Sequence, residues 1–173
     1  MEPIKLDTPV IGFRTFEIRQ AGEGILLPYG DFPYIWKPGP QEAKCLHRTC
    51  RNSNNHQVPN PNPPLSRGCG FHGLHEYRNV YPLGVILGWG RIQIHPDGWR
   101  SQFAEIVALI NNVAKFAEMG EYNENKAARM LIQAKNHYKV PLVDNPEDAL
   151  AIAKELGGEI IPRELREKAA VTI

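Results

Sequence analysis

Three cysteines and four of the six histidines of this 173-residue chain lie within one stretch, residues 45–75. They follow the order Cys-x4-Cys, eighteen intervening residues, and then Cys-x2-His or Cys-x5-His. Thiolates and imidazoles with spacings of this kind are the usual ligands of tetrahedral zinc. The pattern therefore predicts a structural zinc site with three thiolate ligands and one imidazole ligand: Cys45, Cys50, Cys69 and His72.

The choice of histidine stays open, because His75, His47 and His56 are alternatives to His72, which the spacing favours only slightly. Four protein ligands would make the zinc structural, whereas three ligands and a water molecule would make it catalytic. The cysteines could also bind no metal, since a free cysteine behaves as a small buried hydrophobic residue. An odd number of cysteines does not suit a secreted disulfide framework, so we expect reduced thiols in a cytoplasmic protein.

Two other chemistries would use the residues around Cys69. Residues 68–73 match the pattern G-x-G-x-x-G, but a dinucleotide site requires a strand before these glycines and a helix after them. Proline-rich sequence precedes them here. A cysteine near a histidine would also fit a thiol nucleophile activated by a base, although no residue that orients the base can be identified. We therefore rank both interpretations below the metal site.

The segment between Cys50 and Cys69 has few residues that could pack on a core, so we expect only its two ends to hold it in place. This insertion, centred on residues 51–67, is rich in asparagine and proline and has almost nothing to bury. Such composition predicts a surface loop, because burial cannot offset the entropy of ordering it. A metal ion held at both ends would close the loop, and the glycines beside Cys69 would allow the backbone to turn tightly there.

The elements that surround the cysteines predict an antiparallel sheet. Residues 10–18 are rich in strand formers, and residues 25–27 would pair back on them as a hairpin through a glycine-rich turn. A further short strand is expected at residues 34–36. Residues 80–95 read as a long strand whose apolar parity changes at residues 88–90, which predicts a bulge or bend between glycines.

A tight turn at residues 95–98 contains proline, aspartate and glycine, and it should return the chain as a second long strand. Residues 99–110 fit a strand, although the apolar side chains from Phe103 to Ile110 would also form a stripe on a helix. The turn favours the strand. His95 and Arg100 flank this turn and are candidates for an interaction site, with Trp99 either beside them on an exposed tip or buried in the core.

The last third of the chain predicts helices. Residues 123–137 carry an apolar stripe opposite charged residues, and a second helix should begin at Pro146 after a cap by Asp144 or Asn145. A short helix is also expected near residues 163–168. The sequence thus predicts an α+β protein with a β-rich part in residues 1–112 and a helical part in residues 113–173, packed as a single domain.

Composition narrows the function without deciding it. Hydrophobic residues make up 42% and charged residues 23% of the chain, and twenty basic residues face nineteen acidic ones. The near balance of charge does not predict capture of nucleic acid or of an anionic membrane by the global field. The chain has no long apolar segment, so we expect a soluble protein that does not bind a membrane.

Short motifs flank the cysteines on both sides: Trp36-Lys37-Pro38-Gly39, Ala43, Cys45, Pro64, Cys69-Gly70, Gly90, His95, Gly98 and Arg100. Across residues 13–109 they resemble a pattern in small uncharacterised proteins of actinobacteria and their phages. Proteins of that group often carry Cys-x-Cys-Gly, whereas this chain has Gly68-Cys69-Gly70 preceded by arginine, so Cys50 or a histidine would have to replace the first cysteine. The resemblance implies a small metal-associated domain without an established activity.

Three functions fit these features. We favour a non-enzymatic interaction or regulatory protein, in which zinc shapes a loop-rich surface that binds another protein, as in a phage-encoded protein that acts on a host protein. The second is a zinc-containing nucleic-acid binder with a local basic patch: Lys44, Arg48, Arg51, Arg67, Arg78 and Arg91. The third is a metal-dependent hydrolase with an open coordination position and Glu76 or Asp97 as the base.

Overall fold

The structure is a computed structural model, and it describes residues 4–18, 26–28, 35–43, 58–59, 69–77, 83–120 and 122–171. The strands within these ranges are β1 (Ile4–Lys5), β2 (Val10–Ile18), β3 (Leu26–Pro28), β4 (Gln41–Glu42), β5 (Phe71–Leu74), β6 (Leu83–Ile94), β7 (Gly98–Ile110) and β8 (Leu142–Val143). The helices are α1 (Val113–Gly120), α2 (Glu124–Tyr138), α3 (Pro146–Glu155) and α4 (Arg163–Val171). The predicted α+β class is confirmed.

Four of the strands form a closed ring of antiparallel pairs. β2 pairs with β6, β6 with β7, β7 with β5, and β5 returns to β2. Between β5 and β2 the backbone register consists of one pair, Phe13 with Leu74. The ring is therefore a small barrel whose last seam is short, and the remaining strands extend its edges.

Trp99 fills the centre of this barrel. Its side chain is completely buried, and the indole Nε1 donates a hydrogen bond of 3.0 Å to the carbonyl oxygen of Ile11. Each of the other three strands of the ring places a glycine against the indole: Gly12 in β2, Gly73 in β5 and Gly88 in β6. A Cβ atom at Gly12 would lie 2.6 Å from the ring, and Cβ atoms at the other two would lie closer. These glycines provide the space that the indole occupies.

The two faces of the sheet are covered by different helices. The inner face and α2 form one apolar cluster, which includes Phe16, Trp36, Phe71, Ile86, Trp99, Leu109, Met130 and Leu131. The outer face packs against α3 through a second cluster: Ile11, Phe13, Val85, Leu87, Val107, Ala108, Ile110, Ala149 and Ala153. Because the clusters join residues from both halves of the chain, they support the prediction of a single domain with parts 1–112 and 113–173, which stays a prediction.

Several predictions for the strands are confirmed. Residues 99–110 are strand and not helix, and β3 pairs back on β2 as expected. The parity change near Gly90 is a register shift between Trp89 and Ile92 opposite β7, and Gly90 has a φ of 80°. A glycine adopts this left-handed conformation without the steric cost that a Cβ atom imposes, which explains why the strand bends there.

The strand predicted at residues 34–36 is wrong at Ile35 and Trp36, which belong to no strand. The side-chain amide of Gln41 donates to the carbonyl of Lys37 and accepts from its amide, at 2.9 and 2.8 Å. The Trp36 carbonyl accepts 2.7 Å from the Tyr138 hydroxyl. Side chains therefore bind the backbone groups that a neighbouring strand would have used.

The helix caps follow local rules. The Asn123 side chain accepts a hydrogen bond from the amide of Lys126 at the start of α2. Asn145, rather than Asp144, does the same for Asp148 at the start of α3, whose first residue is Pro146. The sequence did not predict α1 or β8, which pairs in parallel with the end of β7. In the part of the chain that the structure describes, no helix is both long and apolar enough to cross a membrane.

Candidate functional site

Two of the predicted metal ligands, Cys69 and His72, lie at the start of β5. Cys69 occupies the bend immediately before the strand, and its residue is only 5% exposed. His72 is the second residue of β5. The remaining predicted ligands and alternatives lie outside the described residues: Cys45, Cys50, His47 and His56. Within the described ranges, no three His, Cys, Asp or Glu residues are grouped to hold a metal ion.

A row of polar side chains crosses the sheet at His72. Arg100 in β7 pairs directly with His72 on one side and with Gln93 of β6 on the other. Directly paired residues of antiparallel strands project to the same face, so these three side chains are neighbours. Gly98, also in β7, lies beneath the imidazole, and a Cβ atom there would be 3.0 Å from His72 Nε2. The same Cβ atom would lie closer still to the Gly73 carbonyl oxygen, so the glycine allows the β5 backbone, and with it the imidazole, to approach β7 closely.

Arg14 reaches the same place from the opposite strand. Its Nη1 donates a hydrogen bond of 3.1 Å to the carbonyl oxygen of His72. This bond joins β2 to β5 across the seam where backbone pairing is short. Arg14, His72, His95 and Arg100, which we call the basic cluster, thus bring side chains of β2, β5 and β7 and of the β6–β7 turn to one end of the barrel.

The environment of the basic cluster disfavours further positive charge. Burial, followed by the charge of Arg100, lowers the pKa of Arg14 to about 10. Burial, followed by Arg14 and Arg100, lowers the pKa of His72 to about 3, so its imidazole is neutral at physiological pH. Burial also lowers the pKa of Arg100, whereas the neighbouring Cys69 and Asp97 raise it. Cys69 therefore lies within electrostatic reach of the Arg100 guanidinium group.

His75 and His95 are linked by a hydrogen bond at the turn. His75 Nε2 lies 2.9 Å from the carbonyl oxygen of His95, and its backbone amide donates to the carbonyl of Asp97. Burial lowers the pKa of both imidazoles. Because His75 Nε2 is already engaged and the His72 ring has no hydrogen bond to the described residues, His72 is the better placed of these two candidate ligands.

Some buried nitrogen atoms of the basic cluster have no hydrogen-bond partner. They are Nε of Arg14, Nε of Arg100 and Nε2 of His95. Gln93 Oε1, in the same row, is also buried without a partner. Buried polar groups are normally hydrogen-bonded, so this group of exceptions marks the cluster as the candidate functional site.

The predicted interaction tip at the turn is partly corrected. Trp99 belongs to the buried core, which was one of the two interpretations, and it therefore cannot contact a partner. His95 and Arg100 are half-buried members of the basic cluster. Residues 71–74 form a strand and not the start of a helix, so the G-x-G-x-x-G match is not a dinucleotide site.

Sequence reasoning missed Arg14. A signal was available, because Arg14 has the same parity in β2 as Gly12 and Phe16, whose positions face the interior. A charged residue between two inward positions of a strand is unusual, since charged side chains are rarely buried without a partner.

Comparisons of the chain with models of protein families, with curated proteins and with solved structures found no match.

Proposed function

We propose that the protein is a non-enzymatic interaction protein in which a metal ion, most simply Zn²⁺, holds the loop between Cys50 and Cys69 against the barrel. The ion would be bound by Cys69 and His72 from this end of the barrel and by Cys45 and Cys50 from the preceding segment. The observation that carries the proposal is that His72 pairs directly with Arg100 and that Cys69, three residues earlier, lies within electrostatic reach of the same guanidinium group.

The charges of such a site would be balanced by its surroundings. Three thiolates and a neutral imidazole around Zn²⁺ carry one net negative charge. A buried charge requires a nearby opposite charge, and the Arg100 guanidinium lies close to both Cys69 and His72. The basic cluster therefore suits a thiolate-rich metal site, although it would oppose a site built from neutral ligands.

The strand that carries His72, and that follows Cys69 directly, is held on both sides. β5 pairs with β7 along its length and with β2 at Phe13, and the Arg14 side chain adds a further bond to His72. A ligand on such a strand is positioned before the metal binds, which favours binding. The metal would then hold the loop-rich surface in a fixed position on the barrel, and we propose that this surface contacts another protein.

Elemental analysis of the full-length protein tests this proposal. We expect about one zinc ion per chain in the wild type, and much less in Cys69→Ser and His72→Gln. His137→Gln, in α2, is the matched control and should retain the metal. Circular dichroism reports whether each variant is folded.

Loss of fold in Cys69→Ser is consistent with a structural metal, because its binding energy is folding energy. A chelator added to the wild type should then lower the thermal midpoint as the zinc is released. A folded wild type that contains no metal and does not respond to added Zn²⁺ would contradict the proposal.

Nucleic-acid binding and metal-dependent hydrolysis are the alternatives. Of the six basic residues of the proposed patch, Arg91 lies within the described ranges, and its Nε and Nη2 both donate to the Val58 carbonyl, at 3.1 and 3.0 Å. Glu76 and Asp97, the candidate bases, are exposed. Binding to DNA or RNA that weakens steeply with salt would favour the first alternative, and an activity lost in a folded Cys69→Ser variant would favour the second.

A further inference from the structure

We propose that Arg14 and Arg100 form a binding site for an oxyanion, specifically a phosphate group, at the end of the barrel where β5 begins. The site goes beyond the metal-held loop and does not depend on it. Its ligand would be free phosphate or the phosphate group of a larger small molecule.

The two guanidinium groups approach one residue from opposite strands. Arg14 in β2 donates through Nη1 to the His72 carbonyl, at 3.1 Å, while Arg100 in β7 pairs directly with His72. β5 thus separates the two arginines by a single strand, and His72 lies between them. The charge of Arg100 lowers the pKa of Arg14, and the charges of both arginines lower the pKa of His72, so the three groups lie within electrostatic reach of one another.

Each of these arginines has a buried Nε atom with no hydrogen-bond partner, and so does His95 at Nε2. A buried donor left without a partner is costly, and the cost is larger for a charged group. Neither arginine forms an ion pair with a carboxylate of the described residues. Asp97 is the neighbouring acidic residue that affects Arg100, but it is exposed and makes no bond to it. Gln93 Oε1 is an acceptor in the same row, but it is neutral and also has no partner in the described part of the chain, so an anion from outside would supply the negative charge and the further acceptors that the site lacks.

Phosphate fits this set of donors better than a carboxylate does. Guanidinium groups bind phosphate with two parallel hydrogen bonds, and a phosphate monoester carries up to two negative charges at neutral pH. Two guanidinium groups match that charge, and the phosphate oxygens can accept from more donors than a carboxylate can.

Titration of the full-length protein with inorganic phosphate tests the site, with acetate and chloride at matched ionic strength for comparison. We expect phosphate to raise the thermal midpoint and to give a saturable calorimetric signal, because a ligand that binds only the folded state stabilises it. Arg14→Gln and Arg100→Gln should each weaken binding by at least about tenfold, as expected for loss of a charge-assisted hydrogen bond. Arg129→Gln, exposed on α2, should bind as the wild type does.

If a glutamine variant does not fold, Arg14→Lys and Arg100→Lys keep the charge but remove the two-pronged donor, and they should still weaken binding. A wild type that responds to phosphate no more than to chloride overturns the inference, and so does unchanged binding in folded variants of both arginines. Glycerol phosphate in a parallel titration separates the sources, since tighter binding than inorganic phosphate indicates a larger ligand.

Failure of the proposed metal site can be distinguished from failure of the proposed phosphate site. Among Cys69→Ser and His72→Gln, a variant that is folded by circular dichroism has lost a proposed metal ligand but keeps both arginines, so its phosphate binding should persist when its zinc content is lost. Phosphate binding that disappears with the metal while both arginines remain would instead identify the metal as the phosphate ligand and would overturn this inference.

Discussion

Replacing Gly88 by alanine should destabilise the barrel, because the new methyl group would overlap the indole of Trp99. The added Cβ would also lie 2.8 Å from the Ser101 hydroxyl oxygen. Overpacking of a core costs about 1–3 kcal/mol when the surroundings can adjust. Here the indole has little room to move, since its Nε1 is bound to the Ile11 carbonyl at 3.0 Å and Gly12 and Gly73 contact its other sides. We therefore expect a loss of about 3 kcal/mol.

A double-mutant cycle with Trp99→Leu isolates the overlap. Trp99→Leu should itself cost about 3 kcal/mol or more, because it leaves a cavity and removes the bond to Ile11. In that background the alanine at position 88 has space, so Gly88→Ala should cost much less than in the wild type. We expect a coupling of about 1–3 kcal/mol in free energies of unfolding measured by urea denaturation.

Gly157→Ala is the control for this cycle. Gly157 has a φ of 84° and no atoms within contact distance of an added Cβ, so alanine there is strained by its backbone alone. Its cost, about 1–2 kcal/mol, should add to that of Trp99→Leu within about 0.5 kcal/mol. If the cost of Gly88→Ala is also simply additive with that of Trp99→Leu, the close packing of glycine and indole does not stabilise the barrel, and the reasoning is refuted.

Three further outcomes follow from individual side chains. Tyr138→Phe removes the buried hydroxyl that donates 2.7 Å to the Trp36 carbonyl and should cost about 1–2 kcal/mol in urea denaturation; a neutral result would contradict a role for that bond. Asn123→Ala removes the cap that binds the Lys126 amide and should cost about 1 kcal/mol, whereas Asn123→Ser should restore most of it. Burial raises the pKa of Glu105 in the folded protein, so as the pH rises this carboxyl group ionises first in the unfolded chain. The folded state is therefore destabilised, and the loss of stability is complete only above the raised pKa of the folded state. At pH 8 Glu105→Gln should therefore have a free energy of unfolding higher by less than about 1 kcal/mol, since the group is partly exposed, and its thermal midpoint should be higher as well. The difference should vanish below the ordinary pKa of 4.5, and a difference independent of pH would contradict this assignment.

The local elements were predictable because their signals lie within a few residues. Asn145 followed by Pro146 starts a helix, and the turn at residues 95–98 joins two strands, since both depend on hydrogen bonds between near neighbours. The failure at Ile35 and Trp36 has the opposite cause. Tyr138, 102 residues away from Trp36 along the chain, binds a backbone group that a local rule would assign to a strand partner.

The candidate site was only partly predictable for the same reason. The composition of residues 45–75 singles out Cys69 and His72 as residues with metal-binding chemistry, and the sequence alone determines that. The tertiary structure decides that His72 lies between Arg14 and Arg100, because β2 and β7 flank β5. No hydrophobic periodicity and no sequence motif predicts that these three residues lie together.

Sequence by itself determined the class of fold, the long hairpin, the helix caps and the residues able to bind a metal. Each of these depends on backbone preferences and side-chain chemistry that act over a few residues. Tertiary structure alone decided the ring of strands, the burial of Trp99 among three glycines, and the unpartnered nitrogen atoms of Arg14 and Arg100. Those features depend on which distant segments pack together, since Arg14 and His72 are 58 residues apart in the chain yet share a hydrogen bond.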